Sequence, residues 1–324
     1  MHALPAVGMT GHWLYRDLRL SSFQRVFHMR AYAGFAFILL AAVLWGLIGP
    51  VARFSMQTGV DALELAFWRA SIGGCFFLLH AALTRGLSVR GPRDVLAFAL
   101  FGSFSLGGFF ASNQYSIQTG GAALAAVLLY TAPAWVAVFS RIFFGDRLTT
   151  AKSAAILLAL AGVAVISFST TPEAMPASVS PMAGVIFGLL AGLLYSTHYI
   201  FSKKYLSVYT AYTLYGYCTI FGALALYPFV SFADKGIADW GVLLFLGLVS
   251  TYGAYLAYCA GLRRLDPTKA SVLATMEPVV ATAAAWWLWG EMFTALGWAG
   301  AGLILCPVFI LVFDRGGKPP RMRE

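Results

Sequence analysis

Ten runs of mostly apolar residues, each close to twenty long, follow one another between residues 33 and 313. They lie near 33–52, 62–83, 95–117, 119–140, 150–168, 182–202, 210–232, 240–262, 269–289 and 294–313. A helix rises about 1.5 Å per residue, so about 20 apolar residues cross the hydrocarbon of a bilayer. The chain is 60% apolar and 11% charged, with a mean hydropathy of +0.77. A water-soluble domain needs a polar skin of about 25% charged residues. The reading is therefore an all-α polytopic membrane protein of ten transmembrane helices. A membrane β-barrel would alternate polarity over segments of about ten residues, and these runs do not. Residues 1–30 lack the short apolar core and cleavage site of a signal peptide. Met29-Arg30, directly before the first run, also permits translation to start there.

The net charge of +9 reads as a membrane topology rather than as an attraction to nucleic acid. With the N-terminus inside and the loops assigned alternately, 19 of the 22 Lys and Arg fall on the inner side. The exceptions are Arg53 and Lys235 outside and Arg69 within the second run. Retention of Lys and Arg on the cytoplasmic side sets orientation. Both termini are expected in the cytoplasm, with the chain a multi-pass protein of a bacterial inner membrane.

The chain also resembles itself. Residues 33–44, AGFAFILLAAVL, match 183–194, AGVIFGLLAGLL, at seven of twelve positions, which places Trp45 opposite Tyr195. Residues 123–149 match 268–294 at a second offset, setting Pro133 opposite Pro278, Gly145 opposite Gly290 and Asp146 opposite Glu291. Two matches in one order indicate a duplicated five-span unit. Because five is odd, the copies cross the membrane in opposite senses, an arrangement recurrent in secondary transporters. The organisation is an N-terminal segment 1–30, a first repeat 31–169, a second repeat 181–313 and a basic tail 314–324.

Several short motifs fall in these repeats: Trp45-Gly46, Phe67-Trp68-Arg69, Tyr130-Thr131-Ala132-Pro133 with Gly145-Asp146, and Met276-Glu277-Pro278-Val279 with Gly290-Glu291. In this order they resemble the drug/metabolite transporter superfamily, in particular its ten-helix EamA-type members, over about residues 33–313. The resemblance implies an inverted-repeat fold that moves small metabolites, often exporting amino acids or related compounds. The first half carries Gly-Asp where the family more often has Gly-Glu.

An ionisable side chain inside hydrocarbon costs about 2.5–3.5 kcal/mol on insertion scales, so it faces a cavity or a partner. Glu277, near the middle of the ninth span, is the clearest case. Pro278 beside it cannot bond the Ala274 carbonyl, and Pro133 stands in the same relation to Leu129. Glu277 can carry a proton, bind a cationic group, or stay protonated and shape the kink. Arg69 can pair with Glu64 or bind a substrate carboxylate. Trp45, Tyr130, Tyr195, Tyr252 and Tyr255 lie near mid-depth, where they either line a cavity for mixed polar and apolar solutes or fill space. His198, one turn from Tyr195, is a structural donor or a proton relay, and Asn113 and Gln114 are candidates for an exit.

Cys75, Cys218, Cys259 and Cys306 all lie in spans without CxxC spacing, so no disulfide or metal site is expected. No cofactor is expected, although proton coupling through Glu277 stays open. The chain has no GxxxxGK[ST] phosphate loop, HExxH or GxSxG. The leading function is a secondary or facilitative carrier for a small molecule, with an intramembrane enzyme or a sensor as the alternative. The expected partners are that solute and the lipid bilayer, as a monomer or a homodimer.

Overall fold

The computed structural model describes residues 32–120, 122–169, 181–290 and 294–313. The segment 1–30, the basic tail and Glu291 lie outside the described residues. Among those described there are helices and turns but no strands. Ten segments form the bundle: α1 Tyr32–Met56, α2 Ala62–Leu83, α3 Pro92–Ile117, α4 Leu124–Phe144, α5 Thr150–Phe168, α6 Met182–Tyr205, α7 Ala211–Leu226, α8 Ile237–Leu262, α9 Pro267–Trp289 and α10 Ala295–Val312. All but α7 are long and apolar enough to cross a bilayer. The apolar run through 210–232 suggests a longer α7, but the helix has only 16 residues. Pro228, which has no amide to donate, sits in the 3₁₀ turn Tyr227–Phe229 that ends it.

Contacts between loops sort the ends of the helices. Lys152 meets Asp266, the Arg90 amide meets the Tyr209 hydroxyl, and Lys203 meets the Leu262 and Leu265 carbonyls. These fix one end, which holds most of the described Lys and Arg. At the opposite end Lys235 meets Glu64, Thr58 meets Asp239, and the Trp289 indole bonds the Pro50 carbonyl. The uneven charge read from the sequence is thus a real separation in space.

The two halves share backbone irregularities as well as residues. α3 contains a π-helical stretch, Phe101–Gly107, and α8 contains one at Leu248–Gly253. α4 and α9 are each broken near the middle, at Tyr130-Thr131 and Thr275-Met276. At both breaks a threonine hydroxyl turns back onto a carbonyl three residues earlier: Thr131 onto Leu128 and Thr275 onto Val272, each at 2.6 Å. Both spans end in a left-handed glycine, Gly145 and Gly290, each with φ 69°, where a side chain would be strained.

The prolines act differently from a simple kink. Each span stops before its proline and restarts at Ala132 or Glu277, leaving Pro133 and Pro278 in the second position of a new half-helix. A proline there costs nothing, because the amides of a first turn have no intrahelical partner. Glu277 is thereby the opening residue of a half-helix, whose N-terminus gathers partial positive charge beside the carboxyl group.

α1 crosses α9 at this break. A β-carbon placed on Gly46 would stand 2.7 Å from the Glu277 carbonyl oxygen and 2.7 Å from Val280 Cβ. Backbone cannot yield to it, whereas Gly302 on α10 has open space around it. Gly46→Ala is expected to lower stability by about 1–3 kcal/mol through overpacking, while Gly302→Ala does not. Thermal unfolding followed by size-exclusion chromatography compares them; equal melting temperatures would rule out this close crossing.

Candidate functional site

The two broken helices meet at mid-depth. Tyr130, at the break of α4, places its hydroxyl within hydrogen-bonding reach of the Glu277 carboxyl at the break of α9. Tyr195, Tyr199 and Tyr255 lie within electrostatic reach of the same carboxyl. The Tyr199 hydroxyl donates to that of Tyr195 at 3.4 Å. Trp45 packs edge-on against Tyr255, with ring centroids 5.3 Å apart, and tilts against Tyr258 at 5.4 Å. Tyr258 in turn meets Tyr199 at 5.4 Å. The duplication predicts Trp45 and Tyr195 as equivalents, and the structure brings both into this one aromatic shell.

Arg69 approaches the shell from α2, in the first repeat. Its Nε donates to Thr251 Oγ1 at 3.4 Å, and its guanidinium lies 5.5 Å from the centre of the Phe110 ring. It interacts electrostatically with Glu277 but forms no contact ion pair with it. Arg69, Tyr255, Thr251 and Phe110 line a cavity between α2, α3, α7 and α8 that also touches Thr219 and Gly222. It has room for a water molecule, not for a metabolite.

The expected pairing of Arg69 with Glu64 does not occur. Glu64 is fully buried and committed elsewhere: it accepts from Lys235 at 2.5 Å, from the Ala233 amide at 3.0 Å and from the Trp68 indole at 3.1 Å. The five-residue separation of Glu64 and Arg69 turns their side chains apart on α2, and a lysine from the other repeat takes the acid. The Lys235 ammonium sits between the rings of Trp68, Phe232 and Trp240, each within 6 Å. This contact ties α2 to the loop before α8. At the basic end Lys152, at the start of α5, pairs with Asp266 before α9 at 3.2 Å. The repeats are thus latched together by a buried ion pair near each end.

Other candidates fall outside the centre. Tyr252 bonds His80 Nδ1 at 2.7 Å and packs on Phe77; Tyr255, nearly one turn further along α8, reaches Arg69 instead. His198 Nε2 lies 3.4 Å from the Ser105 carbonyl, within the π-helical stretch of α3, and its ring meets Phe101, Phe109 and Tyr195. Asn113 and Gln114 are half-buried on α3, one turn past Phe110, and are not among the residues that meet Glu277.

Comparison with known proteins bears on this geometry. The EamA-like transporter family matches residues 32–168 and again 182–313, together most of the chain. The protein belongs to the EamA-like transporter family. An uncharacterized transporter of Archaeoglobus fulgidus is 29% identical over 282 residues, covering 86% of this chain and 98% of the relative. The uncharacterized inner membrane transporter YicL of Salmonella typhimurium is 26% identical over 290 residues, covering 86% and 94%. A relative from Streptantibioticus cattleyicolor, named as a probable terminal-alkyne amino-acid exporter, is 23% identical over 281 residues, covering 85% and 91%. A solved structure titled only as a protein superposes with a TM-score of 0.74 at 21% identity, over 87% of this chain and 96% of its own, and so shares the fold. The chain is a membrane transporter by family, with two copies of the EamA-like unit.

Within this EamA-like protein, sequence reasoning missed Thr251, Phe110 and the Lys235 latch. Ser250-Thr251 is a polar pair inside an apolar span, which is the available signal for Thr251. Lys235 gave none, since nothing local to it points at α2.

Removing one member of a buried ion pair typically costs about 3–5 kcal/mol, because the other charge is left unpaired. Glu64→Gln is expected to destabilise the protein on that scale. Adding Lys235→Met should return part of the loss, since the stranded charge is gone and the single Gln carbonyl oxygen still accepts from either Trp68 or Ala233. Thermal melts of both variants check this, and a double variant no more stable than Glu64→Gln counts against the latch.

Proposed function

We propose that this protein is a secondary carrier that exports amino acids or related small metabolites by alternating access, with Glu277 as its coupling or cation-binding group. One observation carries the reading. An acid from the second repeat and a guanidinium from the first face the same aromatic-walled centre without neutralising each other by contact. Opposite charges kept apart at mid-depth are costly as scaffolding and useful as a site for a polar solute. The latches at the two ends suit the same reading, because opening one while the other holds would expose the centre to one side at a time. The name of the Streptantibioticus cattleyicolor relative supports an amino-acid-like solute. A carrier accounts for the paired repeats, which an intramembrane enzyme or a sensor would not require.

The charge distribution supports an orientation in which the end holding Lys152, Lys203, Arg263 and Arg264 faces the cytoplasm. In a bacterial inner membrane both termini then lie inside. A fluorescent protein fused after Glu324 is expected to fluoresce, and alkaline phosphatase fused there to stay inactive; the reverse pattern would reject the orientation.

The transport test is efflux from liposomes preloaded with amino acids and small polar metabolites, run with and without a pH gradient. Wild type is expected to release a subset of the panel. Glu277→Gln, folded by size-exclusion chromatography, is expected to lose at least about tenfold in rate or to lose its pH dependence, the range typical for a positioned proton-transfer group being about 10²–10⁴-fold. Unchanged rate and pH profile in Glu277→Gln would remove Glu277 from the mechanism.

A further inference from the structure

Arg69 has more hydrogen-bonding capacity than the protein uses. A guanidinium carries five N–H donors in a planar fork. Among the described residues the one hydrogen bond it makes is from Nε to Thr251, at 3.4 Å. The nearby acid on its own helix is fully taken up by Lys235, Ala233 and Trp68, and Glu277 is beyond contact. Phe110 covers part of one face. What remains opens on the water-sized cavity that Arg69 itself lines, so the side chain is half-buried although it belongs to the interior of a span.

Thr251 explains how the fork is held. The π-helical stretch of α8 lets the Thr251 hydroxyl donate to the Leu246 carbonyl five residues back, at 2.8 Å. With its proton committed there, the oxygen offers Arg69 a lone pair and fixes the Nε edge. The two terminal nitrogens are then left for another acceptor. A planar fork matches a carboxylate through two parallel hydrogen bonds, which an ammonium cannot do.

We infer that Arg69 is an anion subsite, positioned by Thr251, that takes the carboxylate of a zwitterionic solute whose ammonium group faces Glu277. The lining of the Arg69 cavity is largely apolar or aromatic, Leu106, Phe110 and Tyr255 among it. This water-sized space has to widen in the proposed carrier cycle before a solute's apolar tail enters it. The inference rests on the carrier reading and narrows it: a solute lacking the carboxylate is a poor substrate even where its amine and tail are kept.

Three matched probes separate the groups: leucine, 3-methylbutylamine, which lacks the carboxylate, and 4-methylpentanoate, which lacks the amine. Binding is measured on purified protein by titration calorimetry, and efflux of the same probes from liposomes. Leucine is expected to bind wild type at least about tenfold more tightly than the amine, the scale of a charge-assisted hydrogen-bonded pair. In Arg69→Gln that preference collapses to near unity, and in Thr251→Val it falls several-fold while the melting temperature of each variant stays near that of wild type. If Arg69→Gln does not give a monodisperse protein, Arg69→Lys carries the test, because it keeps the charge but loses the fork; its leucine preference should fall several-fold. A wild type indifferent to the carboxylate, or a preference that survives these substitutions, overturns the subsite. Carboxylate-dependent binding with no efflux of any probe overturns the carrier reading and leaves the subsite standing; efflux of leucine and the amine alike does the reverse.

Discussion

A charge carried into hydrocarbon must be met by something, and the fold can be understood from how each buried charge is met. Glu64 and Lys235 are met by each other and by a ring of indoles and phenyl groups. Lys152 and Asp266 pair across the repeats at the basic end, where Asp266 also caps the first turn of α9 through the Lys269 amide. Arg69 and Glu277 are the pair left without such contact. Other polar contacts join helices between the ends, such as Tyr252 with His80, Ser116 with the Gly184 carbonyl and Ser202 with Tyr215, and together with the ion pairs they decide which helix faces come together. The aromatic shell of Trp45, Tyr199, Tyr255 and Tyr258 packs around that centre.

The broken helices make that centre possible. A continuous α9 would carry Glu277 on a closed backbone ladder, its partial charges cancelled between turns. By restarting at Glu277, the chain gives the carboxyl group a helix N-terminus and brings the carbonyl of the same residue against α1 at Gly46. α4 breaks at the matching point and uses its own break to deliver Tyr130. Non-helical backbone at membrane depth is tolerated where it is buried in protein or lines a cavity, and both breaks meet that condition.

Much of this was legible in the sequence, and the parts that were not share a cause. The ten spans, the uneven charge and the duplication are patterns along the chain, and each survives in the structure; Pro133 and Pro278 mark the breaks to within a few residues. Glu277 was legible because an acid beside a proline, deep in an apolar run, is too costly to stand there as filler. The pairing of Glu64 was not, because its partner lies 171 residues away in the other repeat and no local spacing encodes it. The choice of Tyr255 over Tyr252 depends on the π-helical stretch of α8, which changes the rotation of every residue after it. A pattern built on 3.6 residues per turn cannot see that change, although the small and polar residues around Ser250 and Gly253 accompany it.

The inverted repeat makes the two ends of the bundle related but not equivalent, and this inequality has a thermodynamic meaning. The Glu64–Lys235 latch concentrates three hydrogen bonds on one acid and a ring cage on its lysine partner. The basic end spreads its closure over Lys152–Asp266, Lys203 on two carbonyls, and Arg263 on the Tyr209 carbonyl. In the alternating-access cycle proposed above, opening either end costs whatever its latch loses, so the difference between the latches sets how the empty carrier divides between two facings. It does not set the direction of net flow. A cycle that returns the protein to its starting state contributes no free energy of its own, and net movement follows the gradients of the solute and of any coupled ion. Unequal latches can only decide which facing waits for the solute, and thereby from which side a dilute solute is captured more readily.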